Sequence, residues 1–423
     1  MTNATPPSTR IKLGAGVLAW RNAVFCIFVL NGIELASWVS RIPGVRDDLT
    51  LSDADIGILL LFLSAAAVLG LIASPPLLAR FGPRRGIVFS LACASLGLVL
   101  VGIGASLLQQ VPVVAVGLAF VGFGNGSVDV MMNVEGTRAE REVRKTQMPL
   151  MHAGYSLGTV IGAGIGAAAA ALRVDLAWHF TVIAVLVVAG SCIAVRFFRA
   201  TEVRGATLGD DGIPSTPAAK LPLTARLRGS LTVWADVTLI LIGLVMLGMA
   251  FTEGSANDWL ALAVVDGHHQ TNPVGALVFG IFVAAMTIGR LLGGPVVDRF
   301  GRVAAIRVTA AMGVAGLLLF ILGGPMWVVV IGTILWGIGC SLGFPLGMSA
   351  AAENTDHPAA RVSAVAMIGY CAFLVGPPVM GFLGQAFGLL NALYLVLALL
   401  LLSAILAGAL RPTGPTKHTR ANG

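Results

Sequence analysis

The chain has 423 residues, of which 57% are hydrophobic and only 11% are charged, and its formal net charge is +7. Soluble domains carry about 25% charged residues, so this composition excludes a soluble enzyme; the long apolar runs exclude an outer-membrane barrel, whose strands alternate lipid-facing and lumen-facing residues. The basic residues separate apolar segments instead of clustering on one exposed face, so the charge gives no sign of a nucleic-acid partner.

The remaining class is an all-α membrane protein, and twelve apolar segments are long enough to cross a bilayer. A polar tail, residues 1–17, precedes six spans, at 18–40, 54–79, 86–108, 112–134, 148–172 and 176–198. Residues 199–230 are rich in Gly, Pro, Asp and Arg, which predicts a linker. Six more spans follow, at 235–257, 274–297, 304–324, 326–350, 362–386 and 389–410. The expected units are therefore two six-helix bundles, 18–198 and 231–410, and a tail, 411–423.

The distribution of charge predicts the orientation of these spans. Most of the 27 Lys and Arg residues fall on one side of this topology. Basic loops remain in the cytoplasm, so both termini are expected there, in a multi-pass protein of the cell membrane. Tryptophans near the span ends predict an aromatic belt: Trp38, Trp178, Trp259 and Trp327 at outer ends, and Trp20 and Trp234 at inner ends.

The cysteines and the known catalytic motifs give no sign of bound groups. The five cysteines show neither C-x-x-C nor Cys/His spacing, so we expect no metal site and no disulfide framework. A phosphate-binding G-x-x-x-x-G-K-[ST] loop is absent, which disfavours transport powered directly by a nucleotide. We therefore expect a protein that is not an enzyme and has no cofactor.

Polar residues inside the first span predict a functional face. Asn31, Glu34 and Trp38 lie within about 60° of arc on a helix, so one face presents an amide, a carboxyl group and an indole. A charge inside a span costs roughly 2.5 to 3.5 kcal/mol, so Glu34 needs a wet cavity or a proton. We interpret Glu34 as a proton-coupling residue and Asn31 and Trp38 as substrate-binding residues.

The fourth span carries a polar stripe. Asn125, Asp129 and Asn133 follow i, i+4, i+8 spacing and share one helix face. Interhelical hydrogen bonding is the structural alternative for the two amides. We interpret Asp129 as the second proton-coupling residue and the two asparagines as substrate-binding.

The fifth span begins with another polar face. His152, Tyr155, Ser156 and Thr159 lie at i, i+3, i+4 and i+7 and can hydrogen-bond the hydroxyl groups of a solute. The unperturbed pKa of histidine also permits protonation near neutral pH. These four residues are further substrate-binding candidates, although His152 is as well explained by packing.

The second half supplies candidates of its own. Glu253 and Asn257 share a face of the seventh span, and Tyr370 lies on the eleventh; all three are candidate substrate-binding residues. Arg290 lies midway along the eighth span, where an ion pair with Glu253 would neutralise both charges. A structural or gating role is expected for Arg290.

The two halves also share short motifs. Arg80-Phe81-Gly82 follows the second span, and Arg299-Phe300-Gly301 follows the eighth. The same offset aligns Glu34 with Glu253. Parallel six-helix repeats place a substrate cavity at their interface near the middle of the bilayer.

The segment 294–302, GPVVDRFGR, resembles the loop signature G-x-x-x-D-R-x-G-R of the major facilitator superfamily. The segment 75–85 keeps the Arg and the Gly of this signature but lacks its acidic residue. The resemblance implies a twelve-helix transporter fold, monomeric action, and a cytoplasmic latch formed by the loop. Asp298, Arg299 and Arg302 inherit this gating role by resemblance.

A narrower resemblance links the fourth span, residues 125–133, to the fucose/galactose:proton symporter branch of that superfamily. The branch carries an acid followed four residues later by Asn, which Asp129 and Asn133 match, with Asp in place of the usual Glu. An acid in the first helix of the branch assists proton coupling, a role that Glu34 would take.

These features favour a secondary transporter that moves a small polar, sugar-like solute by alternating access coupled to protons. Two alternatives stay open. A proton-coupled exporter of amphipathic or cationic compounds would use the same intramembrane acids to attract positive charge. A membrane sensor without transport activity would bind its ligand but show no flux.

Overall fold

The structure is a computed structural model that describes most of the chain. The described residues are 14–143, 147–199, 236–351, 353 and 358–411. Within these ranges the chain is helical and contains no β-strand. The predicted tails and linker lie almost entirely outside the described residues.

Within the described residues, the first half contains six helices. They are α1 (Ala15–Val39), α2 (Ile42–Leu49), α3 (Asp53–Gly102), α4 (Val111–Val143), α5 (Met148–Ala171) and α6 (Leu176–Ala194). One-turn π-helical and 3-10 segments extend α3 and α6, at Ile103–Leu107 and Val195–Phe197.

Among the described residues of the second half there are seven helices. They are α7 (Val237–Leu262), α8 (Asn272–Phe300), α9 (Arg302–Leu322), α10 (Met326–Cys340), α11 (Gly343–Ala351), α12 (Pro358–Phe387) and α13 (Leu389–Leu406). A π-helical turn, Ala263–Gly267, extends α7, and a 3-10 turn, Ala407–Leu410, ends the half.

Polar residues at the turns fix where helices begin. The Ser52 hydroxyl accepts a hydrogen bond from the Asp55 backbone N–H, and the Asp55 carboxylate accepts one from the Ser52 N–H, which together form a capping box. Asp175 and Asp236 accept backbone N–H groups in the first turns of α6 and α7 in the same way. These residues satisfy helix N–H groups that have no partner within the helix.

The predicted twelve passes are present. Eleven helical segments among the described residues are long and apolar enough to cross a membrane, and one of them, Asp53–Leu107, has 55 residues. A bilayer core needs only about 20 helical residues, and this segment is broken at Gly82, where φ is 70° and ψ is 170°. It therefore supplies two passes, which correspond to the predicted second and third spans.

Several predicted span ends are wrong by up to about a dozen residues. The helix predicted to end at 134 continues as α4 to Val143, and the helix predicted to end at 257 continues as α7 to Leu262 and as a π-helical turn to Gly267. Beyond the predicted ends, α4 buries Glu135, and α7 continues through Asp258 into the buried apolar residues Trp259 and Leu260. The predicted tenth span is divided into α10 and α11.

The two copies of the Arg-Phe-Gly motif adopt the same local structure. Gly301 has φ 80° and ψ 162°, close to the values at Gly82. A residue with a side chain rarely adopts a positive φ, which explains the glycine in both copies. The Arg80 guanidinium lies 5.7 Å from the Phe81 ring centre, and Arg299 lies 5.4 Å from Phe300. The sequence repeat is therefore also a structural repeat.

The predicted aromatic belt is only partly correct. Trp178 and Trp327 are 71% and 67% exposed on the protein surface, as membrane anchors require. Trp38 and Trp259 are buried inside the protein, which their position near a span end did not reveal. Trp20 is also buried and donates a hydrogen bond of 2.9 Å to Glu135. Trp234 lies outside the described residues.

Glycines bring neighbouring helices into backbone contact. A Cβ atom on Gly122 would lie 2.0 Å from the Leu63 carbonyl oxygen, and one on Gly126 would lie 2.1 Å from that of Ala67. These glycines therefore pack α4 against α3. Gly158 packs α5 against α1, with its Cβ position 2.1 Å from the Val29 carbonyl oxygen.

We expect Gly158→Ala to lower the free energy of unfolding by about 1–3 kcal/mol, because the added methyl group forces α5 away from α1. Gly164 lies in the same helix, and nothing approaches its Cβ position within 4 Å. The matched variant Gly164→Ala is expected to leave stability unchanged or to raise it by up to about 1 kcal/mol. Thermal unfolding in detergent measures both, and equal unfolding midpoints would contradict this packing.

The two halves meet at the end of the molecule that carries α2 and the connection between α7 and α8. Arg46 forms an ion pair with Asp266 across the two halves, and the Asn272 side chain donates a hydrogen bond of 2.9 Å to Asp47. Gly57 lets α3 contact the backbone of α12 at the same end. Among the described residues, the side-chain hydrogen bonds that join the halves lie here. In the predicted orientation this end faces outward.

Candidate functional site

A cavity of about 330 Å³ lies between the two halves. Four helices of the first half line it, α1, α3, α4 and α5, and α7 and α12 line it from the second half. This volume is near the lower end of the range for small-molecule sites, about 300–1,000 Å³. The cavity is therefore suited to a small solute that contacts both halves at once.

Eight of the predicted site residues line this cavity. They are Asn31, Trp38, Asn125, Asp129, Tyr155, Glu253, Asn257 and Tyr370. Tyr155 lies within electrostatic range of Asp129 and Glu253, and Tyr370 lies within that of Asp129, so the polar groups of the two halves are close together. The structure thus unites side chains that are far apart in sequence.

The side-chain amide of Asn31 has an unused hydrogen-bond acceptor at the cavity. Asn31 lines the cavity although the residue is only 1% exposed, and its Nδ2 lies 3.9 Å from the Met132 sulfur. Its Oδ1 has no hydrogen-bond partner within the described part of the chain. A buried acceptor without a partner is costly, so this oxygen favours a hydrogen-bond donor supplied from the cavity.

Glu34 lies away from the cavity wall, inside the first half. It is 1% exposed and accepts a hydrogen bond of 2.6 Å from the Ser95 hydroxyl, while its Oε2 has no partner among the described residues. At about 100° per residue, Asn31 and Trp38 differ by about 20° around the helix, whereas Glu34 is rotated about 60° from Asn31. This rotation turns the carboxyl group towards the second pass of α3.

The polar stripe on α4 divides into two roles. Asn125 and Asp129 line the cavity, but Asn133 does not. The Asn133 side chain donates to the Asp129 backbone oxygen at 2.8 Å and to its Oδ1 at 3.3 Å. Asn133 therefore orients the carboxylate of Asp129.

The polar face of α5 is also divided. Tyr155 reaches the cavity, whereas Ser156 and Thr159 are buried away from it, with the Thr159 hydroxyl donating a hydrogen bond to the Ser156 carbonyl oxygen at 2.7 Å. His152 packs edge-on against Phe28, with ring centres 5.4 Å apart, and does not line the cavity. Helix packing therefore uses most of this face.

The predicted ion pair between Glu253 and Arg290 is present. The Arg290 Nη2 donates to the Glu253 Oε1 at 2.7 Å, and its Nε lies 3.4 Å from the Ser341 carbonyl oxygen. Glu253 lines the cavity while Arg290 lies behind it. The pair neutralises the negative charge of Glu253.

Sequence reasoning missed one charged residue of the cavity, Asp258. It lies one position beyond the predicted end of the seventh span at 257, but α7 continues through it to Leu262, and its side chain lines the cavity. Ser64 and Phe373 were missed as well, because small hydroxyl and aromatic side chains are common in spans. Extending the predicted seventh span beyond 257 would have brought Asp258 into the span and identified it as a candidate.

The charges around the cavity do not cancel. No Lys, Arg or His is among the described residues that line it. Glu253 is paired with Arg290, but neither Asp129 nor Asp258 forms an ion pair with another described residue. The cavity therefore presents two uncompensated carboxyl groups, one from each half.

The loop signature does not line the cavity; it lies where α8 ends and α9 begins. Arg302 pairs with Glu353 at 2.6 Å and so connects the start of α9 to the segment after α11. Asp298 and Arg299 are exposed, and Asp298 forms no ion pair with any residue in the described ranges. Arg302 is thus the member of the signature that bridges neighbouring elements.

Comparisons with known proteins agree with this architecture. The family model of the Major Facilitator Superfamily matches residues 24–322 and 254–423. An uncharacterized transporter of Sinorhizobium fredii, y4wD, is 30% identical over 407 residues, covering 93% of this chain and 98% of the relative.

Two solved structures share the fold. A bacterial homologue of the human lysosomal transporter Spinster, in an inward-facing state, has a TM-score of 0.71 at 15% identity and covers 94% of this chain and 97% of its own. The E. coli fucose:proton symporter FucP has a TM-score of 0.61 at 17% identity, covering 93% and 98%. The chain therefore belongs to the major facilitator superfamily and is a multi-pass membrane transporter of a solute, not an enzyme.

Proposed function

We propose that the protein is a secondary active transporter that moves a small polar, sugar-like solute by alternating access, coupled to protons. One observation carries this proposal: a cavity between the two halves combines neutral amides with the unpaired carboxyl group of Asp129. The structural similarity to a fucose:proton symporter supports the same proposal.

The wall of the cavity is suited to hydroxyl groups. The amides of Asn31, Asn125 and Asn257 can each donate and accept, and within the described residues Asn125 and Asn257 make no side-chain hydrogen bond to protein. Trp38 and Tyr155 add aromatic surface for the apolar face of a ring. A monosaccharide presents this combination of hydroxyl groups and apolar C–H surface.

Proton coupling is assigned to Asp129 and Glu34. Asp129 faces the cavity and is oriented by Asn133, so the state of its proton affects the solute site directly. Glu34 is sealed inside the first half against Ser95, where an unneutralised charge would be costly. In this scheme Asp129 exchanges the proton, and Glu34 responds to the conformation of the first half.

Alternating access requires each end of the cavity to open in turn. The end that carries α2 is joined by Arg46 and Asp266, and in our scheme the loop with Asp298, Arg299 and Arg302 acts at the opposite, cytoplasmic end. Both termini lie in the cytoplasm in this scheme, and the protein acts as a monomer in the cell membrane.

The test uses proteoliposomes that contain a luminal pH dye and are challenged with neutral monosaccharides and polyols. Symport predicts luminal acidification that depends on the solute and is lost in Asp129→Asn. Glu142→Gln is the matched control, because Glu142 is an acid at the protein surface whose side chain is 55% exposed. Acidification that persists in Asp129→Asn would contradict the role of this residue.

The same vesicles separate the two alternatives. Accumulation of a toxic cation under an imposed pH gradient, with no response to the sugars, would favour the exporter. Saturable solute binding without flux in either direction would favour the sensor. Either result would replace the proposed symport.

A further inference from the structure

Asp258 is the least satisfied charged group of the cavity. It projects from α7 into the cavity, opposite the helices of the first half. No described residue donates a hydrogen bond to its carboxylate or forms an ion pair with it. By contrast, Asp129 accepts a bond from Asn133, and Glu253 accepts one from Arg290. Carboxylates removed from bulk water normally have such partners.

The protein leaves the carboxylate of Asp258 without a positive partner among the described residues. Because no Lys, Arg or His of the described residues lines the cavity, the protein supplies no cation to compensate this carboxylate. Hydroxyl groups alone can donate to a carboxylate, but they leave its charge uncompensated. An ammonium group supplies both the charge and up to three donors, and charge-assisted hydrogen bonds are roughly twice as strong as neutral ones.

The surroundings of Asp258 fit an ammonium group. The Phe373 ring lies against α7 one turn earlier, 3.1 Å from the Cβ position of Gly254, and both residues line the cavity. Aromatic faces attract cations within about 6 Å of the ring centre. The unpartnered Oδ1 of Asn31, on the opposite wall, awaits a donor as well.

We infer that the solute carries a protonated amine in addition to hydroxyl groups, and that Asp258 binds this ammonium while Asp129 exchanges the proton. This inference rests on the proposed transport function and specifies its substrate class. It divides the two carboxyl groups between two tasks: the first half handles the proton, and the second half selects the charge of the solute.

Binding to the purified full-length protein tests this inference without a proton gradient. Solutes are compared in sets that differ at one group: glucose, glucosamine and N-acetylglucosamine, and the corresponding galactose set. Dissociation constants are measured at pH 6.5 by tryptophan fluorescence or calorimetry. We expect at least one amine to bind tenfold or more tightly than its neutral and N-acetylated counterparts.

The variant Asp258→Asn is expected to abolish this preference, so that the amine no longer binds more tightly than its neutral counterpart. Asp258→Glu keeps the charge and is expected to retain the preference, and Glu142→Gln serves as the surface control. Thermal unfolding of each variant verifies that it is folded; the wild-type comparison alone remains decisive if a variant fails to fold.

Three results would overturn the inference: equal binding of amine and neutral sugar, a preference that survives in Asp258→Asn, or no binding of any amine in either set. Loss of proton movement on substitution of Asp258 would instead identify this residue as a second proton site. Proton-coupled flux of a neutral sugar would still support the proposed function, so the two failures are distinguishable.

Discussion

Replacing Arg290 with Gln is expected to lower the free energy of unfolding by about 3 kcal/mol. The substitution leaves the Glu253 carboxylate without the partner that lies 2.7 Å away, and removing one member of a buried ion pair costs about 3–5 kcal/mol. The lower end of this range applies because the Arg290 side chain keeps 32% of its surface exposed. The midpoint of unfolding in detergent measures the loss.

The double variant Glu253→Gln with Arg290→Gln separates a structural from a gating role. Removing both charges leaves no unpaired ion, so stability is expected to recover to near the wild-type value. If transport also recovers, the pair is structural; if transport stays lost, the charges of Glu253 and Arg290 act in transport itself. Arg307→Gln is the matched control, since Arg307 is exposed. An Arg290→Gln protein as stable as wild type would contradict the ion pair.

Neutralising Asp266 is expected to open the end of the cavity that carries α2. The carboxylate of Asp266 pairs with Arg46 across the two halves, and Asn272 and Asp47 form a second link beside it. An ion pair at this level of exposure contributes about 1 kcal/mol, so its loss shifts the two-state equilibrium about fivefold. The population of the outward-open state increases, so solute exchange at that side becomes faster.

Cysteine labelling measures this shift. In a background without the native cysteines, Ser64→Cys places a thiol on the cavity wall, and an impermeant maleimide is added from the α2 side. Labelling is expected to be about fivefold faster than in wild type in both Asp266→Asn and Arg46→Gln. The double variant is expected to label no faster than either single variant, because each substitution already removes the ion pair. Asp55→Asn removes a charge at the same end without touching the other half. Unchanged rates in both single variants would show that the pair does not hold this end closed.

The positions of the spans were available from the sequence, because apolar runs of this length have few alternatives to crossing a bilayer as helices. The pairing of Glu253 with Arg290 was also predictable, since two opposite charges inside apolar spans have little else to neutralise them. The ends of the spans were less predictable. Glu135 and Asp258 lie just past predicted ends, yet both are on helices that continue beyond them.

The rotation of each helix about its own axis could not be predicted from the sequence. Residues three or four apart share a face, but that face is broad, and whether it turns to a cavity or to a neighbouring helix depends on packing. Tyr155 reaches the cavity while Ser156, one residue further, is buried away from it. Glu34 is likewise turned to Ser95, away from the cavity.

The sequence by itself determined the membrane class, the twelve passes and the repeat, because these depend on properties of contiguous segments: apolar length, charge between spans and short motifs. The tertiary structure decided which side chains meet. Arg46 and Asp266 are separated by 220 positions and lie in different halves, so nothing local in the sequence relates them. The position of Asp258 in the cavity wall also depends on how the helices pack. A carboxyl group near a span end becomes a ligand-binding candidate only when the packed helices leave it without a partner.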